Sequence, residues 1–189
     1  MLKSIRETYN IPNEAKVLLY VGNISQNKNQ TQMVRAYTLL SDEMRKNTFV
    51  LFCGEDHVKD GMLQELISNA PNNSHLVLCG SVDKEDMNGY YKEADGVVLL
   101  SYTEGFGLSL VEGMHFGLPC AMPTDLDAFE DIYDECAVIG IDKRDDQTVA
   151  NALFLLMSKV WDRDRIRNYS NKFMSIMMAE KYKEVYELL

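Results

Sequence analysis

The 189-residue sequence lacks any apolar run that could cross a bilayer. Its apolar runs, such as Gly96-Val97-Val98-Leu99-Leu100, fall far short of the roughly 18 residues that a spanning helix needs. The stretch from Met1 to Asn10 alternates charged with apolar side chains and holds no signal-peptide core. There is no low-complexity tract and no Lys/Arg-rich block, and the formal net charge is −10. Nucleic acids and anionic membranes reward clustered cations, so neither is an expected partner. A few local donors could still hold an anionic small molecule, so the overall charge leaves the substrate open. The 4 cysteines, Cys53, Cys79, Cys120 and Cys136, never form a C-x-x-C pair. Each lies at or near the end of an apolar run, which predicts reduced core thiols and no metal or disulfide framework. His57, His75 and His115 stand in separate segments without ligand spacing, and are expected to pack or to face solvent. On this reading the chain is expected to be cytoplasmic.

What the sequence does contain is a regular alternation. Strand-length apolar runs occur at Lys16–Val21, Thr48–Cys53, His75–Cys79, Gly96–Leu100, Pro119–Met122 and Ala137–Ile141. They are continuous, which suits parallel strands buried on both faces. Helical periods lie between them at Gln30–Leu40, Val58–Asn69, Lys84–Glu93 and Leu108–Phe116. Further helices are expected at Asp146–Val160 and over the C-terminal stretch, where Phe173, Ile176, Met177, Val185, Tyr186 and Leu189 share roughly one helical face. The pattern predicts an α/β fold, a Rossmann-like doubly wound parallel sheet of about six strands with helices on both faces. Residues 1–189 suffice for one such domain and not for two ordinary ones. Ligands of this architecture bind outside the carboxyl ends of the strands. That singles out the loops Gly22–Lys28, Gly54–His57, Gly80–Asp83, Ser101–Gly107 and Pro123–Asp127.

Glu104-Gly105-Phe106-Gly107-Leu108-Ser109-Leu110-Val111-Glu112 follows a strand and opens a helix. Gly105 and Gly107 allow close backbone approach, and the amides of Phe106, Gly107 and Leu108 would be unpaired donors at a helix N-terminus. Such a terminus suits a diphosphate. Glu104 in the loop and Glu112 about a turn into the helix make sense as acceptors for hydroxyls, since one carboxylate can hold two vicinal sugar hydroxyls. Read alone, the segment is also compatible with a generic strand-to-helix turn. Gly22-Asn23-Ile24-Ser25-Gln26-Asn27-Lys28 brings a cation back to the end of the first strand. It lacks the later glycines of a dinucleotide fingerprint and the G-K-[ST] of a P-loop.

Taken in order, these pieces resemble the C-terminal domain of retaining GT-B glycosyltransferases of the family 4 type, the glycosyl transferases group 1. Glu104 to Glu112 is similar to that family's E-x7-E motif, flanked by Ala94-Asp95-Gly96 and Gly117-Leu118-Pro119. The resemblance runs from about Ala15 to Leu189, and Met178 to Tyr186 resembles the family's closing helix. It implies a donor-binding domain for a nucleotide diphosphate sugar, serving polysaccharide biosynthesis. Glu112 would hold the ribose and Glu104 the donor sugar. Gly22, Asn23 and Lys28, with Gly105 and the amides of Phe106, Gly107 and Leu108, would hold the diphosphate. The base would lie against Gly54 and Gly80-Ser81-Val82. On the resemblance, Glu104 and Lys28 would carry the catalytic roles, with retention of configuration and no metal or other cofactor.

Two departures stand out. Asn23 occupies the place of the family's usual arginine, which removes a cation from the diphosphate. The N-terminal acceptor-binding domain has no counterpart here, so it is the implied partner, and the isolated chain is expected to be inactive. The apolar surface that it would cover favours self-association. The complete enzyme would sit in the cytoplasm or against the inner face of the membrane. The D-x-D strings Asp125-Leu126-Asp127 and Asp162-Arg163-Asp164 could signal a GT-A metal site, although Thr124 or Asp127 serves as well to cap a short helix and Asp162 to Asp164 reads as a helix surface. A GT-B-like sugar epimerase is disfavoured by the E-x7-E context. A non-catalytic module that binds a nucleotide sugar, or acts through protein contacts, is the remaining alternative.

Overall fold

The structure is a computed structural model and describes residues 4–173. Its elements alternate as expected. A short helix α1 (Ile5–Thr8) precedes β1 (Lys16–Val21), α2 (Gln30–Thr38), α3 (Asp42–Lys46) and β2 (Thr48–Cys53). Then come α4 (Met62–Ser68), β3 (His75–Gly80), α5 (Lys84–Glu93), β4 (Gly96–Val98) and α6 (Leu108–His115). The chain continues through β5 (Cys120–Pro123), α7 (Ala128–Ile132), β6 (Val138–Ile141), α8 (Asp146–Ser158) and α9 (Arg163–Ser170), and closes with a 3-10 turn at Asn171–Phe173. All pairings are parallel, in the order β3-β2-β1-β4-β5-β6. This is the doubly wound sheet that the alternation of elements predicts.

The strands read as continuous apolar runs because they feed two cores. Val17 and Leu19 of β1 face one layer, with Leu110, Met114 and Ile166. Leu18 and Tyr20 face the other, with Met33, Val34, Leu63 and Leu153. Burying each large apolar side chain is worth about 1.5–3 kcal/mol. Burial on both faces fails at β3, whose residues are half-buried or exposed because it forms a sheet edge. Helix α6 lies hard against the sheet, since a Cβ on Gly113 would come within 2.4 Å of Val97 Cγ2. That contact sets the N-terminus of α6 above the strand ends.

Two boundaries differ from expectation for local reasons that the side chains show. Helix α4 starts later than Val58 because the Asp56 carboxylate accepts from the amides of Val58 and Lys59, each at 3.0 Å. Such side-chain bonds compete with a helical start, and Lys59 is left-handed with φ 53°. Strand β4 ends at Val98, since the Leu100 amide donates to the Tyr20 hydroxyl at 2.8 Å and leaves the ladder. Helices α1 and α3 are too short to show a period. Of the expected C-terminal apolar face, Phe173 is half-buried; Ile176, Met177, Val185, Tyr186, Leu189 and the closing-helix motif lie outside the described residues.

Candidate functional site

Strand order reverses between β1 and β4, so their following segments diverge and leave a crevice at the carboxyl edge. Lys28 follows β1, Glu104 follows β4, and the two meet there although 76 positions apart: Lys28 Nζ lies 2.5 Å from Glu104 Oε2. The fully buried Ser101 donates its hydroxyl to the same oxygen at 3.1 Å. The surrounding loops are tied together. The buried Tyr20 hydroxyl donates to the Lys28 carbonyl while accepting from Leu100. Asn27 Nδ2 donates to the Thr103 carbonyl at 3.0 Å, and Asn27 Oδ1 accepts from the Thr103 amide at 3.0 Å and hydroxyl at 2.8 Å. The Lys28–Glu104 corner is therefore held from both sides before any ligand arrives.

Beside it stands the N-terminus of α6. Gly107 caps that helix with φ 75°, where an L side chain would be strained, and no side chain caps the helix. Among the described residues the amides of Phe106, Gly107, Leu108 and Ser109 donate no hydrogen bond. One turn further, Glu112 Oε2 accepts from the Tyr91 hydroxyl at 2.9 Å. Burial pushes the Tyr91 phenol well above its ordinary range, and the Glu112 charge adds to that, so Tyr91 remains a donor. Glu112 Oε1 has no hydrogen-bond partner among the described residues.

One cavity runs along the later part of α6 and another lies before its start. A groove of about 1040 Å³ between α5 and α6 is walled by Val82, Tyr91, Val111, Glu112, Phe116 and Phe173, among others. A second cavity of about 610 Å³ lies over Lys28, Glu104, Gly105, Asp125 and Asp127.

The other candidate residues take varied places. A Cβ on Gly54 would fall 2.2 Å from the Gly22 carbonyl oxygen, so Gly54 lets two loops cross. Its amide is already given to the Gly80 carbonyl at 2.8 Å. Asn23 is exposed, and its Oδ1 accepts from the Glu55 amide at 3.3 Å. Ser81 is exposed beyond β3, and Val82 reaches the groove. In the D-x-D strings, both Asp125 oxygens accept from Arg144 at 2.7 Å, and Asp162 caps α9 by accepting from the Arg165 amide at 3.0 Å. Among the described residues no three His, Cys, Asp or Glu side chains are grouped to hold a metal. The four cysteines are free thiols, Cys53 and Cys120 buried and Cys79 and Cys136 half-buried. His75 stacks on Phe49, His57 is exposed beside Glu55, and His115 borders the larger groove. Leu108 and Tyr102 leave apolar area exposed at the cleft, 65% and 56% of each residue.

Sequence reasoning missed Tyr20, Asn27, Ser101 and Tyr91. The only signal was position, because each lies in or beside a strand-end segment or the helix facing one. Their partners are far away in sequence, and no local pattern announces them.

The family model of glycosyl transferases group 1 matches residues 3–173. O-antigen chain mannosyltransferase B of Escherichia coli is 32% identical over 110 residues, covering 57% of this chain and 29% of that protein. The Anabaena Alr3699/HepE structure in complex with UDP and glucose superposes with a TM-score of 0.81 at 17% identity, covering 98% of this chain and 51% of that one. The apo form of the lipopolysaccharide outer core galactosyltransferase WaaB gives a TM-score of 0.78 at 17% identity, covering 93% and 50%. The chain spans about half the length of those two solved proteins. Its matched region contains both site carboxylates, the Lys28 loop and the whole described sheet, and the chain belongs to the glycosyl transferases group 1, with the fold of the C-terminal half of a GT-B glycosyltransferase.

Proposed function

We propose that this chain binds a nucleoside diphosphate sugar and supplies the donor half of an enzyme that transfers the sugar to an acceptor with retention, without a metal or other cofactor. The observation that carries this reading is the Lys28–Glu104 contact beside an α6 N-terminus with free amides. The amides of Phe106, Gly107 and Leu108 point positive partial charge at one place, and Lys28 adds a full one. A diphosphate set there would leave Glu112 Oε1 to the ribose and the larger groove to the base. Glu104 would accept from a sugar hydroxyl in the smaller cavity.

In the transfer step the bond from C1 to the diphosphate oxygen breaks, and the acceptor oxygen bonds to C1 on the same face. The acceptor proton passes to the departing diphosphate oxygen. Lys28 and the helix amides stabilise the charge that develops on that oxygen, which is electrostatic catalysis by preset donors. This supply of positive charge, and the engagement of Asp125 with Arg144, support a reaction that needs no divalent ion. The other half of a GT-B enzyme would be the partner that orients the acceptor against the donor. A second reading, a module that binds the nucleotide sugar without turnover, uses the same site.

Calorimetry with UDP, GDP and ADP, with and without manganese, tests the proposal. Weak binding of at least one, indifferent to manganese, and no sugar transfer by the chain alone are expected. Binding of none, a strict manganese requirement, or robust transfer by the chain alone would each overturn the corresponding part. Transfer restored by adding the acceptor-binding half would exclude the non-catalytic module.

A further inference from the structure

The cavity of about 610 Å³ is lined by three carboxylates, Glu104, Asp125 and Asp127, with Lys28 and the polar side chains of Asn27 and Thr103. The carboxylates differ in their partners. Glu104 is held by Lys28 and Ser101. Asp125 is gripped by Arg144 through two bonds of 2.7 Å, and that hydrogen bonding keeps its carboxyl below the usual range. Arg144 is itself anchored, donating to the Leu100 carbonyl at 3.2 Å and lying 5.3 Å above the Tyr102 ring. Asp127 is exposed at the N-cap position of α7, where its side chain makes no capping bond. Among the described residues its carboxylate has no hydrogen-bond or ion-pair partner.

Three acids against Lys28 and Arg144 leave one negative charge in excess around this cavity. On the donor reading Lys28 turns to the diphosphate, so the charged side chains lining the cavity that are left to face the sugar are carboxylates. Sugar hydroxyls donate to such groups, whereas a carboxylate on the sugar has no proton to give and is repelled. We infer that this cavity takes an uncharged, hydroxyl-rich glycosyl group and rejects one bearing a carboxylate, with Asp127 as the discriminating side chain. The inference rests on the donor reading proposed above.

Calorimetry on the chain with UDP-glucose and UDP-glucuronic acid, GDP-mannose and GDP-mannuronic acid, and the free diphosphates UDP and GDP tests it. With the nucleotide that binds, the uncharged sugar should bind about tenfold more tightly than its uronic acid counterpart. Asp127→Asn should shrink that ratio. Equal or tighter binding of the uronic acid donor, while the free diphosphate still binds, would overturn the inference and leave the donor reading intact. An unchanged ratio in Asp127→Asn would remove Asp127 from the role. Failure of both free diphosphates to bind would overturn the donor reading for these nucleotides, and this inference with it.

Discussion

The two carboxylates of the E-x7-E segment belong to regions built on opposite plans. Around Glu104 the space is small and polar, and its walls are tied across two loops by Lys28, Ser101, Asn27 and Tyr20. Around Glu112 the groove is larger and mainly apolar, and among the described residues the one tie on the carboxylate is the Tyr91 hydroxyl. The contrast suits a division of labour in the proposed donor site. Groups that meet developing charge gain by being fixed beforehand, because they need no reorganisation during reaction. A planar base needs area and an apolar wall more than it needs fixed charges.

Removing Lys28 should break the corner and leave the groove intact. Lys28→Ala is expected to weaken binding of inorganic diphosphate by about a hundredfold, since a charged hydrogen bond is lost and Glu104 faces the ligand without its cation. Calorimetry with diphosphate alone reads this, and an effect below about threefold would take Lys28 out of the site. Glu112→Ala should do the reverse. Nucleoside diphosphate affinity should fall roughly tenfold to a hundredfold, with inorganic diphosphate little changed. Equal losses for both ligands would erase the distinction between the regions.

Tyr20→Phe asks how far the corner depends on its ties. The Lys28 carbonyl and the Leu100 amide would both lose a partner, at a cost of about 1–3 kcal/mol in a urea melt. A variant as stable as the parent would show that the corner stands without this tie. Asn23→Arg sharpens the same side, because it returns a cation near the diphosphate. A gain of about 1 kcal/mol is expected, shrinking with added salt, and unchanged affinity at low salt would mean that the loop points elsewhere.

The smallest effect concerns Asp125. Arg144 lowers its folded carboxyl below the ordinary value of about 3.9. A depressed carboxyl contributes stability that is present above the unfolded value and lost as pH falls through the folded one. Asp125→Asn should therefore be slightly less stable than the parent at neutral pH and equal to it in strong acid. Asp125 is largely exposed, so the difference is small. Urea midpoints across the acid range would show it, and a constant gap at all pH values would assign the effect to something other than ionisation.

Much of the fold was legible because buried parallel strands write themselves as unbroken apolar runs. Five of the six expected strands match within a residue at either end; β4 stops two residues early because a tyrosine hydroxyl two positions from the Lys28 loop's first glycine takes the Leu100 amide. The late start of α4 was hidden for a similar reason, an aspartate turning the chain before the helical period begins. In the site, the Gly107 turn and the two glutamates were legible as a local motif. Gly54 was noticed as a ligand-facing residue, yet the structure uses its missing side chain to let two loops pass and commits its amide to Gly80.

The sequence by itself determined the order of the strands and of the longer helices, the family resemblance, and the helix N-terminus that follows β4. These depend on periodicity, on turn residues and on one contiguous motif, all of which act over a few neighbouring positions. Only the tertiary structure decided which distant side chains meet: Lys28 with Glu104, Asn27 with Thr103, Tyr20 with Leu100, and Asp125 with Arg144. Most of those meetings depend on β1 lying beside β4 in the sheet, with its order reversing there. Strand order arises from the packing of two helical layers on one sheet, and no local preference along the chain encodes it.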